Sequence, residues 1–230
     1  LFRSRYLQLT RVAPGEMMAG AYSEWRSVYS RNAGALVWFY KDLWPAAGWG
    51  IVDSHGIPKA AYYQLRRVWQ PLQLTITEEG LNGLHAHLSN ETAIPFSGKL
   101  EVVLLKYPHT VVAKHETAVQ LGPRARDMHS VDALLGSFYD TSYAYRFGPP
   151  HHDVVMGLLR DDKGAAVSTA FHFTQRREPP LMTDGRIDSH VEPLDNGRYR
   201  VALTSDDFLC HVSLSARGYN PDDNYFHLPP

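Results

Sequence analysis

Five side chains between residues 38 and 49 are of the types that hold a sugar: Trp38, Lys41, Asp42, Trp44 and Trp49. Indole faces stack on the C–H surface of a pyranose ring, and a carboxylate accepts hydrogen bonds from its hydroxyls. Together they suggest one wall of a carbohydrate site. The competing expectation for Trp44 and Trp49 is that they pack their loop against the rest of the fold. Hydrolysis of a glycoside also needs two carboxyl groups, about 5–5.5 Å apart for retention or about 6.5–9.5 Å for inversion. Glu16 and Glu24 are eight residues apart on an expected helix and should be solvated or salt-bridged. Asp42 and Asp53 complete no pair with them. No catalytic residue is therefore assigned within the chain.

The 12 histidines raise the question of a metal. His85 and His87 are expected on an exposed strand face. His151-His152-Asp153 is expected in a loop after Gly148-Pro149-Pro150. Neither group has a third ligand at a recognisable spacing, and catalytic zinc needs three, so no metal and no cofactor is assigned. Cys210 is the one cysteine, which excludes an intramolecular disulfide framework. It is expected to face a core. There is no Gly-x-Ser-x-Gly, no phosphate-binding glycine loop and no Cys-x-x-Cys. A formal net charge of −1 gives no electrostatic footprint for nucleic acid or an anionic membrane. No apolar run reaches the length of a membrane span.

The elements that must position the Trp-rich run change in kind near residue 70. All five tryptophans (Trp25, Trp38, Trp44, Trp49, Trp69) lie before that point. Pro14-Gly15-Glu16 is expected to open a helix, with Met17, Ala21, Trp25 and Val28 on its apolar face. Ala35 to Phe39 is a continuous apolar run, as in a strand buried on both faces of a parallel sheet. A long loop follows, and Pro58 starts a second helix. Ala61, Leu65, Val68 and Trp69 form its inner face, Arg66 and Arg67 are solvated, and Pro71 stops it. Helix, strand, loop and helix in this order are the repeating unit of a (β/α) barrel.

Beyond Pro71 the period becomes two. Leu84, Ala86 and Leu88 alternate with polar neighbours. Residues 100–105, 167–173, 199–203 and 210–214 read as further strands. Asp161-Asp162-Lys163-Gly164 and Asp195-Asn196-Gly197 read as hairpin turns. Short strands between turns indicate immunoglobulin-like antiparallel sandwiches. The stretch 175–180 is the expected linker. The expected organisation is a barrel end at 1–70, a sandwich at 71–178 and a truncated sandwich at 179–230. The start at Leu1 and the close at Pro229-Pro230 suggest part of a longer protein.

Gly34 to Pro45 (Gly-Ala-Leu-Val-Trp-Phe-Tyr-Lys-Asp-Leu-Trp-Pro) resembles the segment around the last barrel strand of glycoside hydrolase family 2 β-mannosidases. That segment typically reads Gly-x-Leu-x-Trp-Gln-Leu-Asn-Asp-x-Trp-Pro. The likeness continues through Gly48-Trp49-Gly50-Ile51-Val52-Asp53 and Gly56-Ile57-Pro58-Lys59-Ala60, and returns at Asn224-Tyr225-Phe226. It implies the end of a (β/α)8 TIM barrel followed by immunoglobulin-like β-sandwich domains. It also implies a retaining exo-glycosidase for terminal β-D-mannosides, with both catalytic glutamates upstream and the fragment alone inactive. By resemblance Trp38 lines the sugar subsite, and Asp42, Trp44 and Trp49 match motif positions. Phe39-Tyr40-Lys41 departs from Gln-Leu-Asn and places a cation beside the subsite, which would suit another β-glycoside such as a β-glucosaminide or β-galactoside. The alternative class is a non-catalytic carbohydrate-binding sandwich, using Tyr139, Tyr143, Tyr145 and Phe147. A third reading gives the sandwiches a packing role alone. The partner expected is a β-linked glycoside; oligomeric state and localisation stay open.

Overall fold

Leu100, Val102 and Leu104 alternate with Val103 and Leu105, and in the structure all five are buried. This computed structural model describes residues 2–175 and 185–230. The five residues sit in β3 (Phe96–Lys106), which pairs antiparallel with β4 (Thr110–Leu121) on one side and β6 (Val154–Asp161) on the other. β7 (Ala166–Phe173) completes a four-stranded sheet in the order β4-β3-β6-β7. A second sheet runs β1-β2-β5, from Leu72–Glu78, Leu84–Asn90 and Arg126–Ser130. Leu74, Leu84, Ala86 and Leu88 of this sheet meet Leu100, Val102, Leu104, Val155 and Leu159 of the first in one core. The expected antiparallel sandwich is thus present across 72–173. The period-two reading works here because each strand has a partner and an inner face to bury.

β3 and β6 are apolar on both faces because a second layer covers the outer one. Phe208 and Cys210 pack there on Val103, Leu105, Val154, Met156 and Leu158. They belong to the C-terminal stretch, which holds β8 (Asp188–Pro193), β9 (Tyr199–Thr204), β10 (Leu209–Val212) and β11 (Phe226–Leu228). These form two separate pairs, β8-β9 and β10-β11. Both expected hairpin turns are present. Gly164 adopts φ 82° and Asp161 Oδ1 accepts from the amides of Lys163 and Ala165; Asn196 and Gly197 adopt φ 62° and 71°. The linker expected at 175–180 lies, apart from Gln175, outside the described residues. So does the boundary set at 178 and 179.

The first part departs from a barrel unit. α1 (Phe2–Arg26) runs through Pro14 rather than starting there. An interior proline removes one hydrogen bond and costs about 3 kcal/mol. Leu7, Gln8, Leu9 and Arg11 are good helix formers and carry the helix on its N-terminal side. α2 (Ala60–Val68) matches the expected second helix. It selects which face of α1 is buried: Val12, Gly15 and Tyr22 lie inside while Met17 is exposed. Gly15 suits this close crossing: a Cβ there would stand 3.0 Å from Gln64 Cγ and 3.1 Å from the Ala61 backbone, so the helices would have to move slightly apart. Trp25 and Trp69 flank Tyr22 at the crossing, with centroids 5.1 and 5.2 Å from its ring.

No strand forms at 35–39, and Leu36 is 98% exposed. A parallel strand buried on both faces needs neighbours on both edges. Among the described residues none lies beside this one. The pairing that does form is a pair of single bridges, Lys41 with Val52 and Val52 with Pro58. The barrel architecture is therefore not visible in this chain, whereas the sandwich is.

Candidate functional site

Three of the five tryptophans stand on the loop that replaces the expected strand. Trp38, Trp44 and Trp49 are 72%, 66% and 74% exposed. In an extended strand Trp38 and Phe39 would point to opposite sides. Phe39 instead takes φ 67°, unusual for a residue with a Cβ. Its ring lies beside Trp38, with centroids 5.2 Å apart. Phe39 also stacks on Trp49 at 6.4 Å and 27°. Trp38, Phe39 and Trp49 thus form a continuous exposed aromatic row. Phe39 went unremarked as a site residue in the sequence; nothing local signals its left-handed backbone.

Asp42 sits beneath this row with its side chain 6% exposed. Its Oδ1 accepts the Gly50 amide at 2.8 Å, and Oδ2 pairs with the Lys59 ammonium. Lys59 also donates to the Gly48 carbonyl at 3.2 Å. The hydrogen bond from Lys59, with the Gly50 amide and the lysine's charge, holds the Asp42 carboxyl below the usual aspartate range despite its partial desolvation. A Cβ at Gly48 or Gly50 would collide with this carboxylate, so the two glycines are needed by close approach. Backbone bonds anchor the same loop, Asp42 N to Val52 O and Val52 N to Tyr40 O, both 3.0 Å, and Lys59 N to Ile51 O at 2.9 Å. Lys59 was visible in sequence only as the residue opening α2. Trp44 is outside this row and shares with Asp42 a cleft of about 270 Å³, lined also by Pro45, Asp53, His55 and Lys59. Lys41 is exposed at the bridge to Val52.

The remaining candidates fall elsewhere. Glu16 pairs with His211 at 2.8 Å and Glu24 is exposed on α1. His87 is buried rather than on an exposed face, because the end of α1 covers it. Val28 N donates to its Nδ1 at 3.3 Å, so the proton lies on Nε2, 2.8 Å from Thr77 Oγ1. Burial, and then His85 nearby, lower its pKa to about 4. His85 meets the Tyr29 hydroxyl at 2.7 Å. His152 is buried against Thr141 O, while Asp153 pairs with Lys106. Among the described residues no three His, Cys, Asp or Glu converge as metal ligands. Arg67, expected in solvent, instead donates to the carbonyls of Asn224 and Tyr225 at 3.1 and 2.9 Å and pairs with Asp223. The C-terminal stretch folds back over α2 and covers it. In the 139–147 segment, Tyr145 and Phe147 are exposed beside Phe138. Tyr139 packs on the sandwich core and Tyr143 bonds Gly148 O, so the four expected rings share no single face.

No family model matches the chain. Beta-mannosidase B of Emericella nidulans and that of Aspergillus niger are each 38% identical to it over 77 residues, 32% of this chain and 9% of theirs. The β-D-mannosidase of Dictyoglomus thermophilum superimposes with a TM-score of 0.81 at 18% identity, over 99% of this chain and 26% of that one. An exo-chitosanase of Amycolatopsis orientalis gives a TM-score of 0.69 at 15% identity, over 98% and 30%. The chain thus spans about a quarter to a third of these solved structures, and its sequence match under a tenth of the curated relatives. In sequence over 32% of its residues and in fold over 99% of them, this chain resembles β-mannosidases, as its Trp-rich segment implies.

Proposed function

We propose that the chain is the C-terminal part of a retaining exo-β-glycosidase that removes terminal β-D-mannosyl units. Residues 1–70 would close a (β/α)8 barrel whose earlier strands carry the nucleophile and acid/base glutamates. Residues 71–178 and 179–230 would be an immunoglobulin-like sandwich and a truncated C-terminal one. The observation that carries this reading is the exposed row Trp38-Phe39-Trp49 at the end of the segment that resembles a last barrel strand. An indole that is not packed into its own fold is available to a pyranose face. Trp38, Trp49 and, across Asp42, Trp44 and Lys41 would form one side of the sugar subsite. The exposed Leu36 and Met17 fit the same picture, since the missing barrel strands and helices would cover them. The chain by itself would be inactive, for want of the two carboxyl groups that glycoside cleavage requires.

The test is an assay of the complete protein that contains these residues on aryl β-mannoside, β-glucosaminide and β-galactoside. Hydrolysis of the mannoside with retained configuration is expected, and Trp38→Ala should lower kcat/KM about 10- to 100-fold. Activity on none of the three would overturn the enzyme reading. A second reading, preference for another β-glycoside, is favoured by Lys41 where the family shows a neutral amide. Lys41→Asn should then shift relative kcat/KM toward the mannoside.

A further inference from the structure

We propose that Asp42 and Lys59 form a clasp whose task is to position Trp49, and that Asp42 acts on a sugar only through that indole. The inference rests on reading the aromatic row as the sugar wall. It differs from the motif-based expectation, in which Asp42 itself binds substrate.

The argument starts from where the bonds go. Trp49 lies between Gly48 and Gly50, and each of these is held by one member of the pair. Lys59 Nζ takes the Gly48 carbonyl at 3.2 Å, and Asp42 Oδ1 takes the Gly50 amide at 2.8 Å. Asp42 Oδ2 and the Lys59 ammonium close the ring between them. One ion pair thus fixes the backbone on both sides of a single indole. The Asp42 side chain lines the Trp44 cleft but is only 6% exposed, and both of its oxygens are already engaged, on Gly50 and on Lys59. Hydrogen bonds to an ionised acceptor are the stronger kind and set direction as well as distance. The glycines on either side leave no Cβ to hold the carboxylate off. On its other side Trp49 is met by Phe39 at 6.4 Å. Among the described residues Trp44 has no comparable support: its carbonyl takes the Ala46 amide at 2.9 Å within the same turn. The clasp therefore bears on Trp49 in particular.

The experiment uses the 230-residue chain itself, labelled with ¹⁵N, so that the indole N–H signals of Trp25, Trp38, Trp44, Trp49 and Trp69 are read separately. Trp49→Phe assigns the one of interest. Asp42→Ala and Lys59→Met should each move the Trp49 signal and leave those of Trp25 and Trp69 in place. The Gly50 amide should exchange about tenfold faster or more in Asp42→Ala. The double variant should move Trp49 no further than either single one, because both break the same clasp. Lys59→Arg keeps the cation and should hold the Trp49 signal near its original place. If Asp42→Ala also displaces Trp25 and Trp69, the near-isosteric Asp42→Asn decides: a shift confined to Trp49 supports the clasp. An unmoved Trp49 signal in Asp42→Asn and Lys59→Met, or effects that add in the double variant, would overturn it. These readouts need no glycosidase activity, so a negative result with aryl glycosides would remove the sugar-wall reading and leave the clasp standing.

Discussion

Two apolar runs of similar make-up meet different fates in this molecule. Val102 to Leu105 lies in β3, hydrogen-bonded on both edges, and is buried on both faces, one by the opposite sheet and one by Phe208. Ala35 to Phe39 has no edge partner among the described residues; Val37 packs on the cluster of Tyr22, Val52 and Leu65, but Leu36 and the ring of Trp38 are left in solvent. The first run is stabilised by burial on the order of 25 cal/mol per Å² of apolar surface together with a satisfied backbone. The second is shaped by a few local devices: a left-handed Phe39, the Val52 bridges, and the Asp42–Lys59 pair. Stability and the proposed binding surface are thus located in different places. The sandwich side buries Phe208, while the loop side holds Trp38, Trp44 and Trp49 out.

The largest expected test of that contrast is Phe208→Ala. Removing the ring that caps the outer face of β3 and β6 should cost about 4 kcal/mol in denaturant unfolding. A loss under about 1 kcal/mol would mean the C-terminal layer does not stabilise the sandwich. Next comes the seam between the two regions, where His87 is buried under the end of α1 with Glu79 and His85 facing it. Its value is about 4 when folded, against an ordinary 6.5. Above pH 6.5 both folded and unfolded chains are neutral there. Between pH 6.5 and 4 only the unfolded chain takes up the proton, so stability should fall as pH drops, by up to about 3 kcal/mol. His87→Gln should flatten that part of the stability profile, and an unchanged slope would assign it to other groups. A smaller effect, about 2 kcal/mol, is expected for Arg67→Met, which frees two carbonyls and Asp223 from α2. Faster hydrogen exchange at residues 222–225 reads it directly. Smallest of all should be Leu36→Ala, within about 0.5 kcal/mol by the same unfolding measurement. A cost like that of a core leucine would show that 35–39 is buried in solution after all.

Much of the sandwich was legible in advance. The alternation at 84–88, the run at 100–105 and the turn at 161–164 all fell where strands and turns lie, because each encodes its own geometry within a few residues. The Trp-rich segment was legible in composition alone. Its five tryptophans divide by neighbours: Trp25 and Trp69 pack on Tyr22, and the other three stand in the loop. His87 and Arg67 read as exposed, and each is covered by a segment distant in sequence, the end of α1 and residues 221–225 respectively.

By itself the sequence determined the features whose causes are local. These are the period of two, the Asn-Gly and Asp-rich turns, the stop at Pro71 and the glycines flanking Trp49. Tertiary structure alone decided which face of α1 is buried, that the run at 35–39 stays unpaired, and that Asp42 turns both oxygens onto its own loop. The physical reason is common to all three. A strand edge and a helix face are satisfied by atoms far away along the chain, and the Asp42 carboxylate by Gly50 and Lys59 across its loop; no spacing within a few residues states which atoms those will be.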